Sequence, residues 1–166
     1  AVDAADVLVG FNIKFDLHWL KRYGINFSKK RIWDCQLVEF ILRNQSAAYP
    51  SLNATAEYYD LGTKLDEVKE NYWKNGIDTN EVPKEILADY LKRDVELTEQ
   101  VMSKQMEELA KRPELKRLVS LHNQDLLVLQ EMEYNGLKYD YDKSTVLGDE
   151  LDEQISKLNI KLKSFH

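Results

Sequence analysis

The sequence predicts an α/β fold, and two observations in the first quarter of the chain predict it. Residues 7–10 and the pair Ile32-Trp33 are short apolar runs of the length and composition typical of buried strands. Each run is followed by residues whose apolar positions have helical spacing. The order strand, helix, strand, helix is that of a parallel α/β unit. The rest of the chain predicts helices joined by short turns.

The two helices of this unit are predicted over residues 15–23 and 35–43. Gly24 ends the first of them, since glycine readily follows the last helical turn. The apolar side of each helix is expected to pack on the sheet. The predicted packing positions are Phe15, Trp19, Leu20 and Tyr23 in the first helix and Leu37, Phe40 and Ile41 in the second.

Two short helices are predicted in the middle of the chain. Ser51 is a favoured N-cap for a helix over residues 52–59, and Gly62 follows that helix. Another short helix is predicted over residues 64–74 and ends at the turn Asn75-Gly76.

Three longer helices are predicted in the second half. Pro83 suits the first turn of a helix that runs to about Lys111. The next helix covers about residues 114–134 and ends at Asn135-Gly136, a favoured C-terminal stop. A charged helix then starts at Asp142 and continues to the C-terminus. Together they predict a helical extension of the α/β unit.

Composition excludes several classes of protein. The 166 residues are 43% hydrophobic and 31% charged, which is ordinary for a globular protein. No apolar run reaches the roughly 18 residues that a membrane span needs, and the acidic N-terminus lacks the basic region of a signal peptide. With a single cysteine, Cys35, these features predict a cytoplasmic protein that does not bind a membrane.

The charge distribution leaves two interpretations open. The net charge of −6 argues against general nucleic-acid affinity through a basic surface. Residues 11–31, however, contain six basic side chains and one acid, whereas residues 57–100 contain twelve acids and six bases. One interpretation is that both segments are ordinary solvated faces. The other is that the basic segment faces phosphate and lies beside the acidic segment, which binds metal.

The predicted long helix has one carboxylate aimed at its packed side. At 100° per residue, Tyr90 and Asp94 lie about 40° apart on the apolar face, while the other acids of the helix point elsewhere. That apolar face comprises Ile86, Leu87, Leu91, Leu97, Val101 and Leu109. A buried carboxylate needs a partner. Asp94 therefore binds a metal, or it caps a backbone group or pairs with an arginine.

A second group of polar residues follows the first predicted strand. The connection from that strand to the next predicted helix contains Asn12, Lys14 and Asp16. The carboxyl ends of parallel strands are where α/β folds bind ligands. Asn12 could instead cap the helix, and Asp16 could complement its dipole. Asp16 and Asp94 together suit two-metal phosphodiester hydrolysis, because Mg²⁺ prefers carboxylate oxygens and water. A tyrosine hydroxyl at such a site is suited to orienting the nucleophilic water.

The order of these motifs resembles that of a known family. Gly10-Phe11-Asn12-Ile13-Lys14-Phe15-Asp16 is similar to the second motif of the 3′–5′ proofreading exonuclease of family A, polymerase I-like, DNA polymerases. Tyr90-Leu91-Lys92-Arg93-Asp94-Val95 resembles their third motif in its tyrosine-containing form, and Trp33-Asp34-Cys35 lies between them. Further on, Glu133-Tyr134-Asn135-Gly136 resembles the junction at which the polymerase domain begins. The resemblance covers nearly the whole chain, in order.

The resemblance implies a fold, a site and partners. The fold would be ribonuclease H-like, incomplete at its N-terminus, with a partial exonuclease domain over residues 1–112 and the helical start of a polymerase domain over residues 113–166. Asp16 and Asp94 would hold Mg²⁺ or Mn²⁺, Tyr90 would orient the attacking water, and Asn12 and Lys14 would contact the substrate. The partners would be the 3′ end of single-stranded DNA and a polymerase domain in cis.

One departure from the family keeps other functions open. The family's first motif, an Asp-x-Glu on an early strand, supplies two more metal ligands and would lie upstream of residue 1. Without it, the 166 residues alone are expected to be almost inactive. A ribonuclease D-like RNA-processing exonuclease and a catalytically inactive scaffold with the same fold are the alternatives. The junction at Glu133–Gly136 favours the polymerase, while the absent motif favours the scaffold.

Overall fold

Two short parallel strands organise the fold. In the computed structural model, which describes residues 2–46, 48–63 and 67–164, β1 (Val7–Gly10) pairs with β2 (Arg31–Asp34), with Val7 opposite Arg31 and Gly10 opposite Asp34. Helix α1 (Ile13–Arg22) connects the strands, and α2 (Cys35–Leu42) follows β2. The predicted order of a parallel α/β unit is confirmed.

The remaining regular structure is helical. It comprises α3 (Leu52–Tyr58), α4 (Glu67–Asn71), α5 (Lys84–Lys111), α6 (Lys116–Asn135) and α7 (Tyr141–Lys163), with short 3₁₀ turns between some of them. The Ser51 hydroxyl caps α3, as predicted, by accepting from the Ala54 N–H at 3.1 Å. The helix predicted over 64–74 is divided into α4 and a 3₁₀ turn at Trp73–Asn75, and its first three residues lie outside the described ranges. Helix α7 begins one residue earlier than predicted, because the Asp140 carboxylate caps it.

The packed face of α1 differs from the prediction. Ile13 and Leu17 are buried and join a core cluster with Phe27, Ile32 and Leu126. The side chains predicted to pack, Phe15, Trp19 and Tyr23, are instead exposed. The helix has two apolar stripes, one at 13, 17 and 20 and one at 15, 19 and 23, and periodicity alone does not choose between them. The aliphatic stripe packs on the sheet, which leaves an aromatic face towards solvent.

Helix α5 packs along much of its length, as its apolar spacing predicts. Tyr90, Leu97 and Val101 are buried, and the stripe continues through Gln105 to Leu109. Leu91, which the periodicity places on the same face, is 53% exposed. It lies about 100° from Tyr90 around the helix, which places it at the rim of the contact.

The two edges of the sheet differ. The Asp34 N–H at the end of β2 donates to Asn123 Oδ1 of α6 at 2.8 Å, and Ile32 and Asp34 of β2 are buried. No residue of β1 is fully buried, and within the described part of the chain no strand pairs with its outer edge. A groove of about 450 Å³ runs along β1 instead, with Asp16 and Leu20 from α1 and Val95, Thr98, Glu99 and Met102 from α5 in its walls.

The chain divides into two compact units, Ala1–Tyr134 and Asn135–His166. The domain boundary that the sequence predicts between residues 112 and 113 stays a prediction. Helix α6 belongs to the first unit because Val119, Asn123 and Leu126 are buried in its core. The chain is thus broadly α/β and mostly helical. None of the described helices has the length and apolar character needed to cross a membrane.

A buried polar network joins α2, α3 and α5. The Glu39 carboxylate is 2% exposed and accepts hydrogen bonds from Arg43 Nε at 2.8 Å, Tyr59 Oη at 3.0 Å and Gln105 Nε2 at 3.0 Å. Gln105 also accepts from the Trp33 indole N–H and donates to the Cys35 carbonyl. Burial and the neighbouring Glu39 charge raise the pKa of Tyr59, so this hydroxyl remains a donor.

Cys35 should be inert in the folded protein. Its side chain is fully buried, and burial together with the carboxylates of Asp34 and Glu39 raises the pKa of the thiol. Since the thiolate is the reactive species, we expect a thiol reagent at pH 8 to modify Cys35 at least about 100-fold more slowly in buffer than in denaturant. Equal rates would show that the region around α2 opens freely.

Candidate active site at the ends of the parallel strands

Asn12 turns the chain from β1 into α1. Its backbone is left-handed (φ 60°, ψ 47°), a conformation that asparagine tolerates better than most residues. The side chain occupies the N-cap position but makes no capping hydrogen bond, so the interpretation of Asn12 as a simple cap is wrong. Its amide is exposed at the carboxyl ends of the strands, where a substrate contact was predicted.

Asp34 holds this turn in place. Its carboxylate accepts from the backbone N–H groups of Asn12 at 3.2 Å and Ile13 at 3.0 Å, and from those of Gln36 at 2.9 Å and Leu37 at 3.2 Å. One side chain therefore caps both α1 and α2, which begin after neighbouring strands. Asp34 is 3% exposed, and burial raises the pKa of its carboxyl while the four N–H donors act in the opposite direction.

Asp16 lies in the first turn of α1 and faces the groove beside β1. Partial burial is the main cause that raises the pKa of its carboxyl. The nearby Asp34 charge raises this pKa further. Thr98 and Glu99 of α5 line the same groove. The structure therefore brings Asp16 to the α5 turn that follows Asp94.

Asp94 projects into the packed side of α5. Its Oδ1 atom is shielded from solvent, and its carbonyl oxygen accepts from the Thr98 hydroxyl at 2.7 Å. The predicted orientation of this carboxylate towards the interior is confirmed. The nearby Arg93 guanidinium bonds to the carbonyl oxygens of Leu61 and Thr63.

Tyr90 is also on the packed side, as predicted, and its ring is tightly placed. It is 8% exposed and packs with Val68 and Val82, with an edge-on contact to Trp73 at 5.6 Å between ring centroids. The indole N–H of Trp73 donates in turn to the Thr79 hydroxyl. The segment between α3 and α5 thus fixes the ring one turn before Asp94.

Lys14 lies away from the Asp16 groove. It is two residues from Asp16, about 200° around the helix. Its ammonium group bonds to Glu133 at 2.5 Å, and His18 bonds to the same carboxylate at 3.1 Å. Lys14 and Asn12 line a different cavity, of about 370 Å³, together with Asp34. The predicted substrate residues Asn12 and Lys14 therefore border one cavity, whereas the predicted metal ligand Asp16 borders another.

The donor chemistry of the site fits a hard divalent cation in part. Asp16 and Asp94 supply carboxylate oxygens, and Mg²⁺ is commonly held by one or two carboxylates with water and substrate phosphates completing its shell. Within residues 2–46, 48–63 and 67–164, no group of three or more His, Cys, Asp or Glu side chains is arranged to hold a metal. Any metal here would take its further ligands from substrate, water or residues beyond the described set.

Sequence reasoning missed the role of Asp34. A strand that ends in Asp immediately before a helix predicts the N-cap of α2, and that signal was present in the sequence. The bonds to Asn12 and Ile13, by contrast, depend on the register of β1 against β2. No pattern within residues 31–43 could have indicated them.

Comparisons with known proteins found no match for this chain. No family model, no curated protein and no solved structure is similar to it. The assignment of a function therefore depends on the residues and contacts described above and on the order of the two motifs.

Proposed function

We propose that this chain is part of a metal-dependent 3′–5′ exonuclease that removes terminal nucleotides from DNA in support of a family A DNA polymerase. One observation supports the proposal: Asp16, in the first turn of α1, lines a groove together with Val95 and Thr98 of the α5 turn that follows Asp94. Asp16 and Val95, which are 79 residues apart in the sequence, therefore line the same groove. The segments around both residues contain the residue types expected for phosphodiester hydrolysis.

Each residue has a defined part in this proposal. Asp16 and Asp94 hold Mg²⁺ or Mn²⁺, which when bound stabilises charge on the phosphate and lowers the pKa of water. Tyr90, fixed by Trp73, orients the water through its hydroxyl. Asn12 donates to the substrate strand from its exposed amide. Asp34 touches no reacting atom and acts by positioning the start of α1.

The test is digestion of 3′-labelled single-stranded DNA by the longest gene product that contains this chain. We expect Mg²⁺- or Mn²⁺-dependent release of the 3′ label, and a loss of at least about 100-fold in rate for Asp94→Ala or Asp16→Ala. Tyr90→Phe should lower the rate with little effect on DNA binding. Asp89→Ala is the matched control, since Asp89 is an exposed acid on the same helix.

Two outcomes would contradict the proposal. An unchanged rate in Asp94→Ala would remove this carboxylate from the chemistry. Equal losses in Asp94→Ala and Asp89→Ala would indicate a general effect on α5. Labelled RNA in a parallel reaction distinguishes the ribonuclease D-like alternative, which should digest RNA faster than DNA. A gene product that binds DNA without digesting it would favour the inactive scaffold.

A further inference from the structure

Helix α1 and its C-cap residue present a row of aromatic side chains to solvent. The row comprises Phe15, Trp19 and Tyr23, which are 61%, 47% and 78% exposed. They follow one another at intervals of four residues, roughly 6 Å along the helix axis, and so lie on one side of it. A single exposed ring is ordinary, but three in a row form a surface on which planar ligands can stack.

A cleft of about 440 Å³ lies beside this aromatic row, within the first compact unit. Its lining side chains come from α1 and the last turn of α6, and they are Phe15, His18, Trp19, Arg22, Glu133 and Tyr134. Phe15 and Trp19 meet edge to face at 6.4 Å between ring centroids, and His18 stacks on Tyr134 at the same distance. These contacts fix the rings, so a planar ligand would meet walls that are already in place.

The charges of the cleft favour an anionic ligand. Of the described side chains that line it, only Glu133 is acidic, and its carboxylate already pairs with Lys14 at 2.5 Å and His18 at 3.1 Å. Arg22 lies over the Trp19 ring, 5.7 Å from its centroid, and pairs with no carboxylate in the part of the chain that the structure describes. A guanidinium can bind a phosphate through two parallel hydrogen bonds.

Aromatic rings beside such an arginine indicate a single-stranded nucleic acid. Proteins bind single strands by stacking bases on aromatic side chains while cations contact the phosphates. The bases of a duplex already stack on one another and are not free for this contact. None of the described lining side chains is aliphatic, in contrast to the grooves that bind amphipathic helices.

The position of the aromatic row suits a strand that ends at the candidate active site. Trp19 lies about 60° from Asp16 around α1 and roughly 4.5 Å further along the helix axis. A strand whose 3′ end lies at Asp16 can therefore pass Trp19 with one of its last few nucleotides.

We propose that this cleft binds a base near the 3′ end of single-stranded DNA, with the base stacked on Trp19 and the adjacent phosphate on Arg22. The choice of DNA as the strand rests on the proposed nuclease function, whereas the cleft itself uses neither Asp94 nor Tyr90. Stacking and phosphate contacts do not read the base sequence, so binding should tolerate any sequence and weaken with salt.

Fluorescence anisotropy of a labelled oligothymidylate of about 12 nucleotides tests the cleft. The full 166-residue chain is used in EDTA, so that no metal-dependent digestion takes place. Trp19→Ala should weaken binding at least about 10-fold, whereas Trp19→Phe, which keeps a ring, should weaken it less than about threefold. Tyr141→Ala is the matched control, because it removes a ring that is 72% exposed from the start of α7. A hairpin duplex should bind more weakly than the single strand.

The salt dependence of binding tests the role of Arg22. Arg22→Ala should weaken binding about fivefold and lower the magnitude of the slope of log affinity against log salt by about 0.7, the value for one phosphate on a single strand. Arg117→Ala is the matched control, since Arg117 is an exposed arginine near the start of α6, far along that helix from Glu133. It should leave the slope unchanged.

Several outcomes would overturn the inference. They are undiminished binding in Trp19→Ala, an equal loss in Tyr141→Ala, duplex binding as tight as single-strand binding, and no binding by the wild type at about 100 µM. A gene product that digests DNA while Trp19→Ala binds normally would contradict this inference alone. Binding through Trp19 by a gene product that digests no DNA would contradict the nuclease function alone.

Discussion

Replacing Asp34 with alanine should lower the free energy of unfolding by about 4 kcal/mol, because four backbone N–H groups, one buried and three partly buried, lose their acceptor together. Two of these groups begin α1 and two begin α2. Hydrogen bonds to a charged acceptor are stronger than neutral ones, and unsatisfied buried donors retain their full desolvation cost. Urea denaturation followed by circular dichroism measures the change.

A series at this position separates the two caps. Asp34→Ser keeps a hydroxyl that can cap α2, but its shorter side chain cannot also reach Asn12 and Ile13. We therefore expect Asp34→Ser to recover only about 1 kcal/mol of the loss. Asp34→Asn should be intermediate, because one of its two terminal atoms is a donor that faces N–H groups. If Asp34→Ser were as stable as the wild type, the bonds from β2 to the start of α1 would have no energetic role.

The Glu39 network should produce the second large effect. Glu39→Ala removes the acceptor of Arg43, Tyr59 and Gln105, and we expect a loss of about 3 kcal/mol in the free energy of unfolding. Of the three donors, Arg43 should contribute least to this loss. Its guanidinium is partly exposed and stacks over the Tyr58 ring at 3.0 Å. Thermal and urea unfolding should show the loss.

A double-mutant cycle with Gln105→Leu isolates the contact between α2 and α5. The two substitutions should couple by about 1 kcal/mol, since each breaks the same hydrogen bond. Glu57→Ala and Gln100→Leu are the matched controls, because both are exposed residues of the same types on α3 and α5. Both controls should change stability by less than about 0.5 kcal/mol. Full additivity of Glu39→Ala and Gln105→Leu would show that the network does not act as a unit.

Both effects fall on residues whose importance only partly shows in the sequence. Glu39 lies among the residues predicted as α2, but the periodicity of that segment assigned the packed side to Leu37, Phe40 and Ile41. The structure buries Cys35, Val38, Glu39, Ile41 and Leu42, and places Phe40 against the Tyr49 ring. Sequence periodicity predicts that a charged residue faces solvent, unless a partner for it on another element is known. Here those partners are Tyr59 and Gln105, which are 20 and 66 residues away.

The sequence by itself determined the local structure and the residue types of the candidate site. Strand and helix order, the Ser51 cap, the long α5 and the inward aim of Tyr90 and Asp94 follow from short-range propensity and periodicity, which depend only on neighbours in the chain. Tertiary structure decided between arrangements that periodicity alone does not distinguish. It packed the aliphatic rather than the aromatic stripe of α1 on the sheet, buried Val119 and Leu126 of α6 in core clusters, and paired Lys14 with Glu133. These choices depend on contacts between residues far apart in sequence, because burial and charge pairing are settled only when the elements pack.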